Sequence, residues 1–297
     1  MKKMKGFGRV LTAMITPMTE NGEINYNEAH RCACHLVNNG SDGIVVAGTT
    51  GESPVLTVDE KCRLFATVKE AVAGKAAVIA GTGSNNTAAS IELTKKAEEL
   101  GCDGIMLVTP YYNKPSQEGL YQHFKAIASE TKLPVILYNV PGRTSCNLLP
   151  DTVARLAEIE NIVAVKEASG NLDQVAEIRK KTPADFLIYS GDDSLTLPML
   201  AVGGYGVISV ASHVAGKMIK KMVEAYVAGE VETARELHLK LFPLFKVMFI
   251  TTNPVPVKAA VELIGINAGP PRLPLVKATD QEINAVKKVL EDLNILA

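Results

Sequence analysis

Almost no net charge is left on this chain: 31 lysines and arginines stand against 32 aspartates and glutamates, a balance of −1. No basic run and no basic patch interleaved with aromatics occurs. Broad electrostatic attraction to nucleic acid or to an anionic membrane is therefore excluded as the basis of function. No apolar run approaches the ~20 residues that cross a bilayer. The start, MKKMKGFGRVLTAMITP, sets basic residues before an apolar stretch, but Arg9 interrupts that stretch and Pro17 stops it. It does not read as a secretory signal.

Cysteine is scarce and odd in number: Cys32, Cys34, Cys62, Cys102 and Cys146. Five thiols in mostly apolar segments read as reduced residues of a cytoplasmic protein. Cys32 and Cys34, two apart on a predicted helix, point to different sides and make a poor metal pair. No Walker loop and no H-E-x-x-H motif is present. GTGSNN at 81–86 lacks the dinucleotide-binding glycine spacing and follows the third strand, not the first. That counts against a doubly wound open sheet. No metal cluster emerges; Asp192 and Asp193 read as a helix cap.

What is present is a rhythm. Hydrophobic residues make up 47% of the 297 positions, ample for a large single core. Apolar β-type runs recur at 10–16, 43–47, 77–80, 104–108, 135–138, 162–166, 186–190 and 206–209, each followed by a turn and a helical pattern. Several are apolar on both faces, the mark of parallel strands covered on each side. Eight such strands close a barrel with a filled interior. The predicted fold is α/β, a (β/α)8 TIM barrel over residues 1–228 with a C-terminal helical extension at 229–297 packed on it. In that extension the pattern predicts helices at 231–251, 256–263 and 280–294, after a barrel-closing helix at 217–228. Leu64, Phe65, Val68, Ala71 and Val72 form one core-facing stripe. Thr57 with Glu60 predicts a capping box, and Pro150 fits a helical first turn.

Barrels of this kind carry their sites at the carboxyl ends of the strands. Reading those ends gives Thr49, Thr50, Tyr111, Tyr112, Tyr138, Arg143, Lys166 and Gly191. Lys166 is the most informative, because it closes the apolar run Ile162-Val163-Ala164-Val165. Attack on a ketone requires a neutral amine, and with a reference pKa of ~10.4 about one lysine in a thousand is neutral near pH 7.4. Desolvation raises that fraction, which is how Schiff-base lysines are made. A salt bridge to the adjacent Glu167, or a lysine at the barrel mouth, is the competing reading of the same position. Tyr138 suits a proton relay or a satisfied core tyrosine. The turn VAGTTGES, with Thr49 and Thr50, suits a small carboxylate or simply loop geometry. Arg143 suits a substrate carboxylate or a solvated surface. His30, His35, His123, His213 and His238 lie away from strand ends with carboxylate partners, and read as structural.

Specific motifs run nearly end to end: GTTGES at 48–53, AGTGSN at 80–85, VTPYYNKPSQEGLYQHF at 108–124, YNVPGRT at 138–144, VKEASGN at 165–171, SGDD at 190–193, GGYGVISV at 203–210 and NPVPVK at 253–258. Together they make the chain resemble the 4-hydroxy-tetrahydrodipicolinate synthases (dihydrodipicolinate synthases) of the pyruvate-dependent class I aldolase superfamily. The resemblance implies that Lys166 condenses with pyruvate and that the derived enamine attacks L-aspartate-4-semialdehyde, in the diaminopimelate route to lysine. By the same resemblance Tyr138 shuttles protons, linked through Thr49 to Tyr112. Thr49 and Thr50 hold the pyruvate carboxylate, Arg143 holds the semialdehyde carboxylate, and Gly191 and Ile208 line the pocket. Tyr112 is expected to enter a neighbouring subunit, making a homotetramer, a dimer of dimers, the expected assembly. No cofactor and no metal is implied.

One departure matters. Lysine-inhibited members carry histidines after GTTGES and a glutamate after the GTG-x-N motif, where this chain has Val58, Lys61 and Ala89. Lysine feedback is therefore expected to be weak or absent, although Ser53, Asn85 and Tyr111 remain. N-acetylneuraminate lyase and 2-keto-3-deoxy-sugar acid aldolases share the lysine and the tyrosine; Arg143 and the Tyr111-Tyr112 pair argue against them. A non-catalytic oxo-acid sensor would lack some catalytic position, and none is missing.

Overall fold

The computed structural model describes residues 6–296. Lys2, Lys3 and Lys5, weighed above as part of a leader, lie outside the described residues. The strands are β1 (Val10–Ala13), β2 (Gly43–Val46), β3 (Ala77–Gly81), β4 (Gly104–Val108), β5 (Val135–Asn139), β6 (Ile162–Glu167), β7 (Leu187–Ser190) and β8 (Gly206–Ser209). Each pairs in parallel with the next, and β8 returns to β1 with Val10 opposite Val207, so the sheet is a closed barrel.

The two-faced apolarity of the strands now has a physical reason. Alternate side chains enter two separate cores. Leu11, Val45, Ile79, Met106, Ile136 and Ile208 pack together inside the barrel. Their neighbours Val10, Ile44, Val78, Leu107, Val165 and Val207 pack outward beneath the helices. Each such aliphatic side chain, fully buried, contributes about 1.5–3 kcal/mol, so neither face tolerates a polar residue without a partner or a task.

The outer layer consists of α1 (Tyr26–Asn38), α2 (Val58–Val72), α3 (Thr87–Glu99), α4 (Gln117–Ala128), α5 (Pro141–Thr144), α6 (Pro150–Leu156), α7 (Leu172–Lys181), α8 (Thr196–Ala201) and α9 (Ser212–Val227). The Thr57–Glu60 capping box is formed at α2, and Pro150 opens α6 as its first residue. Asn25, Asn86, Ser116 and Asn171 cap α1, α3, α4 and α7 with their side chains, each worth about 1 kcal/mol.

Several boundaries differ from the sequence pattern, among them the end of α10 at Val247 rather than 251. β1 stops at Ala13, although apolar residues continue, because the backbone N–H of Ile15 leaves the ladder and donates to His213 Nε2. α9 begins at Ser212, five residues earlier than the pattern, because a short helical turn precedes it, broken from it by the non-helical Ala215. The one-turn α5 was hidden by its shortness.

Beyond α9 lie α10 (Val231–Val247), α11 (Val255–Leu263) and α12 (Asp280–Asp292). Leu241, Leu244, Val286 and Leu290 join the apolar cluster that also holds the outward residues of the strands. Arg272, between α11 and α12, donates to the carbonyls of Gly22 and Val55, so this segment touches the loop after β2.

Candidate active site

The loops that follow the strands store backbone strain. Ala47, Glu52, Tyr112 and Ser145 all have positive φ without being glycine, each at a cost of about 1–3 kcal/mol unless the surroundings enforce it. They ring the carboxyl end of the barrel. That is where the candidate site residues lie.

Lys166 is 5% exposed, near the carboxyl end of β6. The alternation along that strand decides its direction. Ala164 belongs to the barrel interior and Val165 to the outer layer, so Lys166 points inward and Glu167 outward. Glu167 is fully engaged elsewhere: Oε2 accepts from Asn139 Nδ2 at 3.0 Å and from Gln174 Nε2 at 3.1 Å, and Oε1 accepts from the N–H of Ser169 at 2.7 Å. The salt bridge between these neighbours, open in the sequence, does not form. Lys166 Nζ instead stands 4.2 Å from the centroid of the Tyr138 ring. A Cβ on Gly191 would come within 3.1 Å of Lys166 Cε and 2.7 Å of Ala168 Cβ. Glycine at 191 leaves the lysine stem its room.

Tyr138 is the inward residue near the end of β5 and is buried. Its ring forms part of the wall of a cavity of about 240 Å³, shared with Thr49, Ser53, Tyr111, Arg143 and Thr144. Arg143, at the surface on α5, brings a guanidinium to that cavity. Gly81 lies on the same wall; a Cβ there would stand 2.4 Å from the Ala47 carbonyl oxygen, so only glycine fits this crossing of β3 and the β2 turn. Lys166 does not line the cavity itself; its Nζ lies against the Tyr138 ring, which does. Ile208 is buried in the barrel interior.

The two threonines separate. Thr49 is half-buried and faces the cavity. Thr50 is buried, and its hydroxyl accepts from Asn253 Nδ2 at 2.9 Å. Among the described residues the backbone N–H groups of Thr49 and Thr50 donate to no acceptor. A turn with two free amides at a barrel mouth is a ready carboxylate seat.

Tyr111 and Tyr112 also part company. Tyr111 lines the cavity, and its carbonyl accepts from Asn85 Nδ2 at 3.2 Å. Tyr112 has φ 72° and is 91% exposed. Within one chain it is not brought to Thr49 or Tyr138.

Among the histidines, His213 and His35 are engaged by the backbone, His35 Nε2 facing the His213 carbonyl at 2.8 Å. His213 is fully buried; its Nδ1 faces the Val210 carbonyl at 2.8 Å while Nε2 accepts the N–H of Ile15. That pattern requires the neutral ring, and burial lowers its pKa to about 4. Among the described residues no group of three or more His, Cys, Asp or Glu is placed to hold a metal ion.

Sequence reasoning passed over Glu52, Asn253 and Lys258. Lys258 Nζ lies 2.7 Å from Glu52 Oε1, and both side chains are buried. The signal was available: a lysine in the apolar run PVPVKAAVEL is as conspicuous as Lys166. Asp193 was read as a cap. Asp192 caps the 3-10 turn Asp193–Leu195, whereas Asp193 is buried and accepts the N–H groups of Val210 and Ala211.

An inward lysine on β6 beside an inward tyrosine on β5, near a turn whose backbone amides are free, is the arrangement of the Schiff-base-forming barrel lyases. The chain belongs to the dihydrodipicolinate synthetase family, whose model matches residues 6–293. It is 62% identical to the 4-hydroxy-tetrahydrodipicolinate synthase of Moorella thermoacetica over 98% of this chain and 99% of that one. Among solved structures it resembles the lysine-bound synthase of Cyanidioschyzon merolae (TM-score 0.96, 51% identity, 98% of this chain and 99% of that one). A dihydrodipicolinate synthase of Bacillus anthracis gives a TM-score of 0.95 at 52% identity, over 97% of this chain and 99% of that one.

Proposed function

We propose that this chain condenses pyruvate with L-aspartate-4-semialdehyde to 4-hydroxy-tetrahydrodipicolinate, in the diaminopimelate route of lysine biosynthesis. The observation that carries it is Lys166: an inward amine, buried against Tyr138, with its neighbouring carboxylate turned away.

Lys166 Nζ adds to the C2 carbonyl of pyruvate, and loss of water leaves the imine. Removal of a methyl proton gives the enamine, whose C3 forms a bond to the aldehyde carbon of the semialdehyde. The substrate amine then attacks the imine carbon, closes the ring and expels Lys166. One water is released overall, and no redox partner is needed. Tyr138 moves the protons, with Thr49 as its link to Tyr112. Thr49 and Thr50 seat the pyruvate carboxylate on their free amides, and Arg143 takes the semialdehyde carboxylate at the cavity mouth. Gly191 and Ile208 shape the space around the imine.

Tyr112 is assigned to the site of a neighbouring subunit. Its strained backbone and exposed ring suit a residue ordered by a partner. The assembly we propose is a homotetramer, a dimer of dimers. Five unpaired thiols agree with a cytoplasmic setting. Residues 1–228 act as the catalytic barrel and 229–297 as an extension of it.

Activity on aspartate semialdehyde against N-acetylmannosamine, each with pyruvate, tests the substrate assignment. Turnover of the semialdehyde alone supports it; preference for the sugar sinks it in favour of a sugar-acid aldolase.

A further inference from the structure

The C-terminal helices reach the barrel mouth at one polar junction. Glu52, in the GTTGES turn, has left-handed backbone with φ 59° and is 3% exposed. Lys258 on α11 is equally buried, with Nζ 2.7 Å from Glu52 Oε1. The second carboxylate oxygen accepts the backbone N–H of Arg272 at 2.8 Å, and Lys258 Nζ also donates to the Pro270 carbonyl at 3.0 Å. Asn253, just ahead of α11, holds the Thr50 hydroxyl at 2.9 Å. From the barrel side, the Thr16 hydroxyl donates to the Gly51 carbonyl at 2.7 Å.

An ion pair this deep is a poor device for stability, since an apolar pair of equal volume does as well or better. It is a good device for direction. It fixes the orientation of a short turn that contains a strained residue, and the turn's amides are the ones left free.

We propose that Glu52, Lys258 and Asn253 are positioning residues for the reaction: through them α11 sets the Thr49–Thr50 turn at the spacing that takes the carboxylate of pyruvate. The inference rests on the reading that this turn seats that carboxylate. The C-terminal extension is then part of the active site, not only a packed appendix.

The test is the paired variant Glu52→Gln/Lys258→Met, compared with Lys258→Met alone. The single variant leaves a buried carboxylate unpaired and lowers the thermal midpoint, whereas the paired variant regains most of it. The pyruvate KM is expected to stay raised about tenfold in the paired variant, with kcat and the semialdehyde KM within about twofold of native. A merely structural pair predicts that the pyruvate KM recovers with the midpoint, and that result overturns the inference. Should the paired variant fail to fold, Asn253→Ala, which removes no charge, carries the same expectation, and a native pyruvate KM there overturns it. Methyl pyruvate, which lacks the carboxylate charge, separates the two levels on the native enzyme. A raised KM for methyl pyruvate together with a native pyruvate KM in the variants defeats the inference alone; a methyl pyruvate KM equal to that of pyruvate defeats the carboxylate reading beneath it.

Discussion

Tyr138 and Lys166 are register partners on adjacent strands, and the lysine Nζ comes within 4.2 Å of the tyrosine ring centroid. The ring packs the amine, while the hydroxyl is free to serve the cavity. Tyr138→Phe keeps the first function and removes the second. Turnover should fall by roughly 10²–10⁴-fold, the worth of a positioned acid–base group, while borohydride with pyruvate still labels Lys166. Turnover within about tenfold of native would remove Tyr138 from the relay.

Arg143 is exposed yet borders the cavity. Arg143→Ala should lower kcat/KM for the semialdehyde by about 10–100-fold, matching the ~1.5–3 kcal/mol of a hydrogen bond to a charged group. Pyruvate adduct formation should be unaffected. Loss of both together would place the guanidinium on pyruvate instead.

Tyr112 acts across subunits in the proposed assembly, which a mixing experiment reads directly. Tyr112→Phe and Lys166→Ala are each expected to be nearly inactive. Co-refolded, they form mixed dimers in which one site has both native groups, and activity should return. If Tyr112 served its own chain, every mixed site would lack one group and no activity would be regained.

Stability should fall on the acid side of neutrality, in two stages. Burial holds the pKa of His213 and of His123 down to about 4. A lowered histidine favours the folded state fully above its unfolded pKa of ~6.5, and the contribution disappears as pH falls toward 4. Each ring is worth roughly 3 kcal/mol over that window. Glu60, hydrogen-bonded by Arg272 and held down to about 2, loses its part only below about pH 4.5. Urea midpoints measured from pH 7.5 to 4.5 should decline, and His213→Asn should flatten the decline. A midpoint unchanged to pH 4.5 contradicts this.

Lysine feedback should be weak or absent. By the sequence resemblance, Lys61, partly buried on α2, and Ala89 take the places of a histidine and a glutamate of lysine-inhibited members, so an incoming ammonium group would meet a cation and lack a carboxylate. Initial rates titrated with lysine decide it; inhibition at sub-millimolar concentration would show that Ser53, Asn85 and Tyr111 suffice for binding.

Much of this molecule was legible because a covered parallel strand must be apolar on both faces, and a lysine inside such a run has few reasons to be there. Lys166 stood out in that way and Tyr138 and Gly191 as strand-end residues; the structure sets Lys166 over the Tyr138 ring, with Gly191 leaving room for its stem. Which group Thr50 offers was not legible, since the sequence says nothing about which way a turn residue faces; its hydroxyl accepts from Asn253, which leaves the backbone N–H. The Glu52–Lys258 pair escaped for a related reason. Its halves come from opposite ends of the chain, and only the closed barrel with α11 laid against it brings them together. Tyr112 announced itself as an aromatic on a loop, but its strained, exposed state appears only in three dimensions.

The central claim is the amine. Incubation with pyruvate and sodium borohydride, followed by peptide mapping, should reduce the imine to a stable secondary amine on Lys166 and nowhere else. An unmodified Lys166, or an adduct on another lysine, would contradict it.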